Sequence, residues 1–383
     1  MPRPPALAPF ASSIRGSVYS SLLHRMATHR GEVYPFHVGD TWMEPAEGCR
    51  MEDLTVAEHP GMHRYSPPQG LPALLDAVAE RVEARSRVST TRDDVLIAGG
   101  ATSGLSCAVG AIVSPGDEVL LLAPHWPLID GIVRTFGGVP VDVPFFGVAE
   151  GPEAAVAAVE RLRSPRTVAL YVNTPSNPTG AVVPEVWLRA LVAWARERDL
   201  WLLFDDVYED YVYEGTHVFG RALAPERAFS VHSFSKAYGM AGNRCGYVVG
   251  PRAAMAEALK VSTHTVYNAP TAAQLAALRA LGPAGDAWVA RAREAYRAAG
   301  GEAAARLGLP VPQGSTFLFV DVAQRLDGRG LGGFLEDAAD RGLFVAPGPS
   351  FGPYPAHVRL CYTAAPPDVV RRGVDVLARL LGR

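Results

Sequence analysis

Seven short apolar runs punctuate the chain: Val95–Ala98, Glu118–Ala123, Val139–Val143, Thr167–Val172, Leu200–Asp205, Ala228–Ser233 and Gly246–Val249. Each is rich in Val, Leu or Ile and lacks the apolar–polar alternation of a strand with one wet face. They therefore predict a mostly parallel, seven-stranded sheet buried between two layers of helices. Between them, Leu71–Arg85, Ser103–Ala111, Trp126–Thr135, Ala154–Arg163 and Glu185–Arg198 repeat apolar residues at three- and four-residue spacing, the pattern of helices that cover such a sheet. After Val266 the pattern changes. Ala-rich helices are expected over Thr271–Leu281 and Asp286–Leu307, followed by a β-like run Thr316–Val322 and a helix near Leu331–Arg341. A strand pair around Leu343–Val345 and His357–Cys361 and a final helix complete a smaller α+β unit. The expected division is a segment 1–45 packing on the small domain, a large α/β domain 46–275, and a small C-terminal domain 276–383.

Composition narrows the function. With 36 Lys+Arg against 39 Asp+Glu and no block of five like charges, neither nucleic acid nor an anionic membrane surface is an expected partner. The apolar runs are strand-sized, far short of the ~20 residues of a membrane span. The N-terminal stretch MPRPPALAPFASSIRGS is broken by prolines before any secretion-like apolar core forms. Cys49, Cys107, Cys245 and Cys361 lie far apart, without a CxxC pair, which fits a reducing compartment and a cytoplasmic location. His59 and His63 are separated by Pro60-Gly61, which forbids the helix that would align them, so no metal site is expected.

The residues with chemistry to offer stand at strand ends. Lys236, in Ser233-Phe-Ser-Lys236, follows the run Ala228–Ser233, at the carboxyl edge where open α/β sheets bind ligands. Burial there would lower its pKa and make it a nucleophilic amine. Arg244, in Gly242-Asn-Arg-Cys-Gly246, has a fork suited to phosphate oxygens; its neighbour Cys245 reads as a small buried filler. Asp205-Asp206-Val207-Tyr208 after Leu200–Phe204 is compatible with a helix cap, with a magnesium site, or with a carboxylate that keeps a pyridine nitrogen protonated beside a phenol. Asn173-Thr-Pro-Ser-Asn177-Pro-Thr-Gly180 is a turn by composition. Gly99-Gly-Ala-Thr-Ser-Gly104 ends a strand and opens a helix, so its amides and the Thr102 hydroxyl suit a phosphate. It is neither a dinucleotide nor a nucleoside-triphosphate fingerprint.

In this order, and over nearly the whole chain, these strings resemble the class I/II aminotransferases among pyridoxal-phosphate enzymes of fold type I. The resemblance implies pyridoxal 5′-phosphate as cofactor, with Lys236 as the Schiff-base lysine, Asp205 as partner of the pyridine nitrogen, and Tyr208 and Asn177 as donors to the ring oxygen. It implies a phosphate cup of Ser233, Arg244, Gly100, Ala101 and Thr102, and Trp126 stacked on the ring. Arg359 resembles the arginine that grips a substrate α-carboxylate, aided by Asn177 and the Gly39 amide. Tyr65 resembles a tyrosine that reaches the phosphate of a neighbouring subunit, which implies a homodimer with shared sites. Tyr19, Trp42 and Phe351 fall in segments that line the mouth of the site in the family. Near Gly39 the family often reads G-x-P-D, where this chain has Gly39-Asp-Thr-Trp42.

The activity so implied is transfer of an amino group between an L-amino acid and a 2-oxo acid. Some aspartate-specific relatives carry lysine at the position of Thr102, and its absence here points to a neutral, apolar or aromatic donor. The same cofactor set serves lyases and biosynthetic elimination or cyclisation enzymes, because ring electronics are common to all of them. A non-catalytic ligand-binding regulator is the third reading, and such a protein has no use for a proton-shuttling amine.

Overall fold

The computed structural model describes residues 6–14 and 22–383. Seven strands form the large sheet: β1 Val95–Ala98, β2 Glu118–Ala123, β3 Val139–Pro144, β4 Thr167–Asn173, β5 Trp201–Asp205, β6 Ala228–Ser233 and β7 Gly246–Val249. Their spatial order is β1-β7-β6-β5-β4-β2-β3. The pairs β2/β3, β2/β4, β4/β5 and β5/β6 are parallel, and only β7 is reversed, running antiparallel to both β1 and β6. The reversal follows from a connection that returns along the same edge of the sheet instead of crossing its face through a long helix.

Alternation along the strands sends side chains to two cores. Ala169 and Tyr171 of β4 and Leu203 of β5 pack on one face with Leu105 and Val109 of the helix Gly100–Ile112 and with Ala254 and Ala258 of the helix Arg252–Thr265. Leu170, Val172, Leu202 and Phe204 pack on the other, with Val159 of the helix Pro152–Leu162 and Leu188, Leu191 and Trp194 of the helix Glu185–Glu197. Both faces are dry, as the uniformly apolar runs require.

The carboxyl ends of the central strands share one edge. Asn173 is opposite Asp205, and Gly246 lies between Ser233 and Ala98. The helix Gly100–Ile112 starts three residues earlier than the sequence spacing predicts, which puts Gly100, Ala101 and Thr102 in its first turn at that edge.

A second, antiparallel sheet contains β8 Phe317–Asp321, β9 Ala346–Pro347 and β10 His357–Cys361 in the order β8-β10-β9. The strand expected at Leu343–Val345 is displaced. Only Ala346 and Pro347 join the ladder, while Leu343 makes a single parallel bridge with Tyr34, because the Tyr34 amide bonds Gly342 O at 2.8 Å and the Phe344 amide bonds Tyr34 O at 3.0 Å. The N-terminal segment is further tied to this part of the chain by ion pairs Arg25–Asp340 and Arg372–Glu32. Among the described residues no helix is long and apolar enough to cross a membrane.

Candidate active site

The strand ends enclose a cavity of about 150 Å³ lined by Ala101, Thr102, Trp126, Asn177, Asp205, Tyr208, Ser233, Lys236 and Arg244, nine of the residues singled out from the sequence. Separate segments of chain deliver them. Sheet topology alone brings them together.

Lys236 sits in the short helix Phe234–Ala237, which Ser233 caps by accepting the Ser235 amide at 3.0 Å. Its Nζ donates to the carbonyl oxygen of Gly39, so the N-terminal segment closes over the lysine. A Cβ at Gly39 would lie 2.9 Å from Phe317 Cζ, and this close approach calls for glycine. Desolvation holds the Lys236 ammonium below the usual lysine range. The chain contains only one other lysine, Lys260, which is exposed and paired with Glu257.

Asp205 ends β5 and is 4 % exposed. Burial pushes its carboxyl up to about 6, against the opposing pull of a hydrogen bond from Tyr171. Next to it, the Asn173 amide donates to Asp205 O at 2.9 Å, and Asn173 Oδ1 accepts the Asn177 amide at 2.7 Å. The turn that carries Asn177 is thereby locked to the end of β5. Tyr208 is buried edge-on to Phe317, and burial keeps its phenol protonated.

Arg244 has a left-handed backbone, φ 54, a conformation that a non-glycine residue holds only when its surroundings dictate it. Its guanidinium bonds Ala241 O at 2.7 Å and reaches Gly99 O at 3.4 Å. A Cβ at Gly100 would come within 2.5 Å of Arg244 Nη2, so glycine is what allows the guanidinium to lie against the helix N-terminus. Backbone amides at a helix start, a hydroxyl and a guanidinium together make a cradle for a phosphate. A recessed carboxylate and an amine of lowered basicity lie beside it. The donor set fits a phosphorylated pyridine aldehyde.

Arg359, on β10, is 4 % exposed. Its Nη1 donates to Asn177 Oδ1 at 3.0 Å and its Nη2 to His37 O at 2.6 Å, so β10 is joined to the turn at the cavity wall. Trp126 borders the cavity and backs onto the core beneath the helix Gly100–Ile112. Tyr65 is not brought to this cavity. It is 85 % exposed and packs edge-on against Tyr267, 5.1 Å between centroids.

Two residues expected at the mouth stand elsewhere. Trp42 turns inward and packs edge-on against Tyr296 at 5.5 Å, because its amide is fixed by Thr363 O at 3.0 Å. Phe351 is fully buried, with Arg359 5.0 Å above its ring. Tyr19 lies outside the described residues. Cys245 is wholly buried, and burial pushes its thiol up to about 12, in keeping with a filler. Sequence reasoning gave no role to Tyr171. The available signal was a phenol in an otherwise aliphatic buried strand, which must find a partner for its hydroxyl.

A sheet that gathers lysine, carboxylate, phenol and arginine at its carboxyl edge beside a helix-start phosphate cradle defines a pyridoxal-phosphate enzyme of the aminotransferase type. The chain belongs to the aminotransferase class I and II family, whose model matches residues 35–377, and its cofactor is pyridoxal 5′-phosphate. It is 37 % identical over 335 residues to a probable aspartate/prephenate aminotransferase of Thermus aquaticus, covering 84 % of each chain. It is 33 % identical over 337 residues to an arginine–pyruvate transaminase of Pseudomonas aeruginosa, again covering 84 % of each. Its structure superposes on that of the aspartate aminotransferase from Thermus thermophilus with maleate, with a TM-score of 0.88 and 31 % identity, covering 98 % of this chain and 100 % of that one.

Proposed function

We propose that this aminotransferase takes its amino group from a neutral, apolar or aromatic L-amino acid and passes it to a 2-oxo acid. The observation that carries the residue assignments is the convergence of Lys236, Asp205, Tyr208 and Arg244 on one cavity from separate parts of the chain, with Arg359 hydrogen-bonded to Asn177 at its wall. Pyridoxal phosphate, when bound, supplies the electron sink that makes an amino acid's α-proton removable.

Arg244, Ser233, Thr102 and the amides of Gly100 and Ala101 would hold its phosphate. Asp205 would face its ring nitrogen, Asn177 and Tyr208 its ring oxygen, and Trp126 one face of the ring. Lys236 would carry the cofactor covalently and, once freed by the incoming amine, act as the base that takes the α-proton and the acid that returns it. Desolvation suits it to both roles, because burial lowers the pKa of its ammonium and makes the proton easier to give up. Arg359, with the Gly39 amide and Asn177, would grip the α-carboxylate and orient the donor.

The substrate assignment is supported by the cavity wall. Its lining is Ala101, Thr102, Leu105, Trp126, Val207 and Ala241 besides the polar set, and the cations lining it among the described residues are Lys236 and Arg244, both already engaged in the roles above. A homodimer with shared sites is supported by the exposure of Tyr65 away from its own cavity. The division into a large cofactor-binding domain 46–275 and a small C-terminal domain 276–383, on which the segment 1–45 packs, is supported by the Tyr34–Leu343 bridge and the ion pairs Arg25–Asp340 and Arg372–Glu32. Cytoplasmic residence is supported by four buried, unpaired cysteines. Mixing the purified holoenzyme with single amino acids and following conversion of the bound cofactor to its amine form tests the activity and ranks the donors.

A further inference from the structure

Asp205 has a second partner that the chemistry above leaves unused. β4 and β5 run in parallel register, with Tyr171 opposite Leu203 and Asn173 opposite Asp205. Tyr171 therefore lies one layer below the sheet edge, fully buried in the core under the helix Gly100–Ile112. Its hydroxyl donates to Asp205 Oδ2 at 2.6 Å. Among the described residues, the other carboxylate oxygen, Oδ1, is met only by the Val207 amide at 3.4 Å. One oxygen is thus firmly held from below, while the other is only loosely engaged at the wall of the cavity.

We propose that Tyr171 is a positioning residue for the cofactor: its hydroxyl fixes the rotation of the Asp205 carboxylate and favours the ionised form, leaving the second oxygen for a protonated ring nitrogen. The proposal rests on the assignment of Asp205 made above. Electrostatics supports the geometry. Burial raises the Asp205 carboxyl to about 6, and among the effects that oppose burial the Tyr171 hydrogen bond is the largest, ahead of the Val207 amide. The titratable groups facing Asp205 are Tyr171 on β4, Asp206 and Tyr208 after β5, and His232 on β6; Asp206 raises its pKa and His232 lowers it. Asp206 is itself engaged by His217 at 3.0 Å. The Tyr171 phenol is pushed well above its ordinary value by burial and by Asp205, so it stays a donor at every working pH. A hydrogen bond between a buried donor and an ionised acceptor is of the stronger kind, and double-mutant cycles are the way to apportion it.

The test is a cycle of Tyr171→Phe, Asp205→Asn and the double variant, read on the holoenzyme by retention of pyridoxal phosphate against pH as well as by kinetics. Tyr171→Phe should weaken cofactor retention about 3- to 10-fold near pH 7.5 and move the acid midpoint of retention upward by about half to one pH unit. It should lower kcat with little change in the KM of the amino donor. In the Asp205→Asn background the same substitution should change nothing further. Equal losses in both backgrounds, or an unmoved midpoint, overturn the proposal, because packing alone would produce that result. Should Tyr171→Phe fail to fold, 3-fluorotyrosine at position 171 keeps the shape while strengthening the donor; the midpoint must then move to lower pH, and a midpoint that stays put overturns the proposal. If Asp205→Asn itself retains cofactor and turnover normally, the assignment of Asp205 fails. If only Tyr171→Phe is normal, that assignment stands and the role of Tyr171 fails.

Discussion

Arg359 Nη1 donates to Asn177 Oδ1 at 3.0 Å, a bond between residues 182 positions apart that joins the small sheet to the turn after β4. The same guanidinium lies 4.3 Å from the ring centroid of Phe317 and 5.0 Å from that of Phe351. Desolvated cation–π contacts of this kind contribute on the order of 1–2 kcal/mol each. Two aromatic rings and two carbonyl oxygens thus fix the plane of the fork before any substrate arrives.

Replacing Arg359 by Lys should therefore raise KM about 10- to 100-fold for every amino donor alike, since a lysine offers a point charge where the site is built around a planar fork. Asn177→Ala should move KM in the same direction by a smaller factor. Steady-state kinetics over several donors checks this, and a rise confined to one donor would show that Arg359 reads the side chain instead.

The cofactor should be attached to Lys236. Borohydride reduction of the holoenzyme followed by peptide mapping has only two lysines to choose between, and a tag on Lys260 sinks the assignment. Lys236→Ala should abolish turnover yet keep some cofactor in place through Arg244 and the helix start at Gly100.

Asp205→Asn should cripple turnover and at the same time stabilise the cofactor-free protein. The sign follows from the carboxyl being raised from 3.8 to about 6. Between those values the folded chain binds more protons than the unfolded one, so folding stability falls as pH rises through that window and the deficit is fully present above it. Removing the charge should recover about 1–3 kcal/mol at pH 8, seen as a higher Tm for the cofactor-free variant. Little difference should remain near pH 4. Equal Tm values at pH 8 would show that Asp205 carries no buried-charge penalty.

How far the sequence revealed this molecule depends on the range of the signal. Val95–Ala98, Glu118–Ala123, Ala228–Ser233 and Gly246–Val249 are strands with the expected limits, because a strand buried on both faces must be apolar throughout. The helix Arg252–Thr265 had no such signature: its buried positions are chiefly small, Ala254, Ala258 and Ser262 around Met255. The bridge between Tyr34 and Leu343 is a single contact between distant segments and leaves no local pattern. Motifs named the residues around Lys236 and Asp205 because their chemistry needs fixed side chains. The inward turn of Trp42 and the burial of Phe351 depend on what packs above them, which no spacing encodes.

If sites are shared across a dimer, Tyr65 acts in its neighbour. A hybrid of one chain carrying both Tyr65→Phe and Lys236→Ala with one wild-type chain keeps a single lysine-bearing site, and the tyrosine hydroxyl that would serve that site is the one removed. It should hold cofactor several-fold more weakly than the site in a hybrid of wild type with Lys236→Ala alone. Identical cofactor affinity in the two hybrids, measured by dialysis, would confine Tyr65 to its own subunit's surface.

The last prediction concerns the donor's side chain. The Thermus aquaticus relative is named for aspartate and prephenate, yet where some aspartate-specific family members present a lysine this chain has Thr102, half-buried at the cavity wall. A hydroxyl cannot neutralise a distal carboxylate, and leaving such a charge unpaired in a partly desolvated site costs about 1–3 kcal/mol or more. Phenylalanine, leucine and methionine should therefore surpass aspartate in kcat/KM, and Thr102→Lys should narrow the gap by raising the value for aspartate about 10-fold or more. The measurement is a donor panel run on both proteins with one common 2-oxo acid. Should aspartate lead by a wide margin in the unaltered enzyme, a cation from outside this cavity reads the distal acid, and the assignment of an uncharged donor falls while the roles of Lys236, Asp205 and Arg359 are untouched.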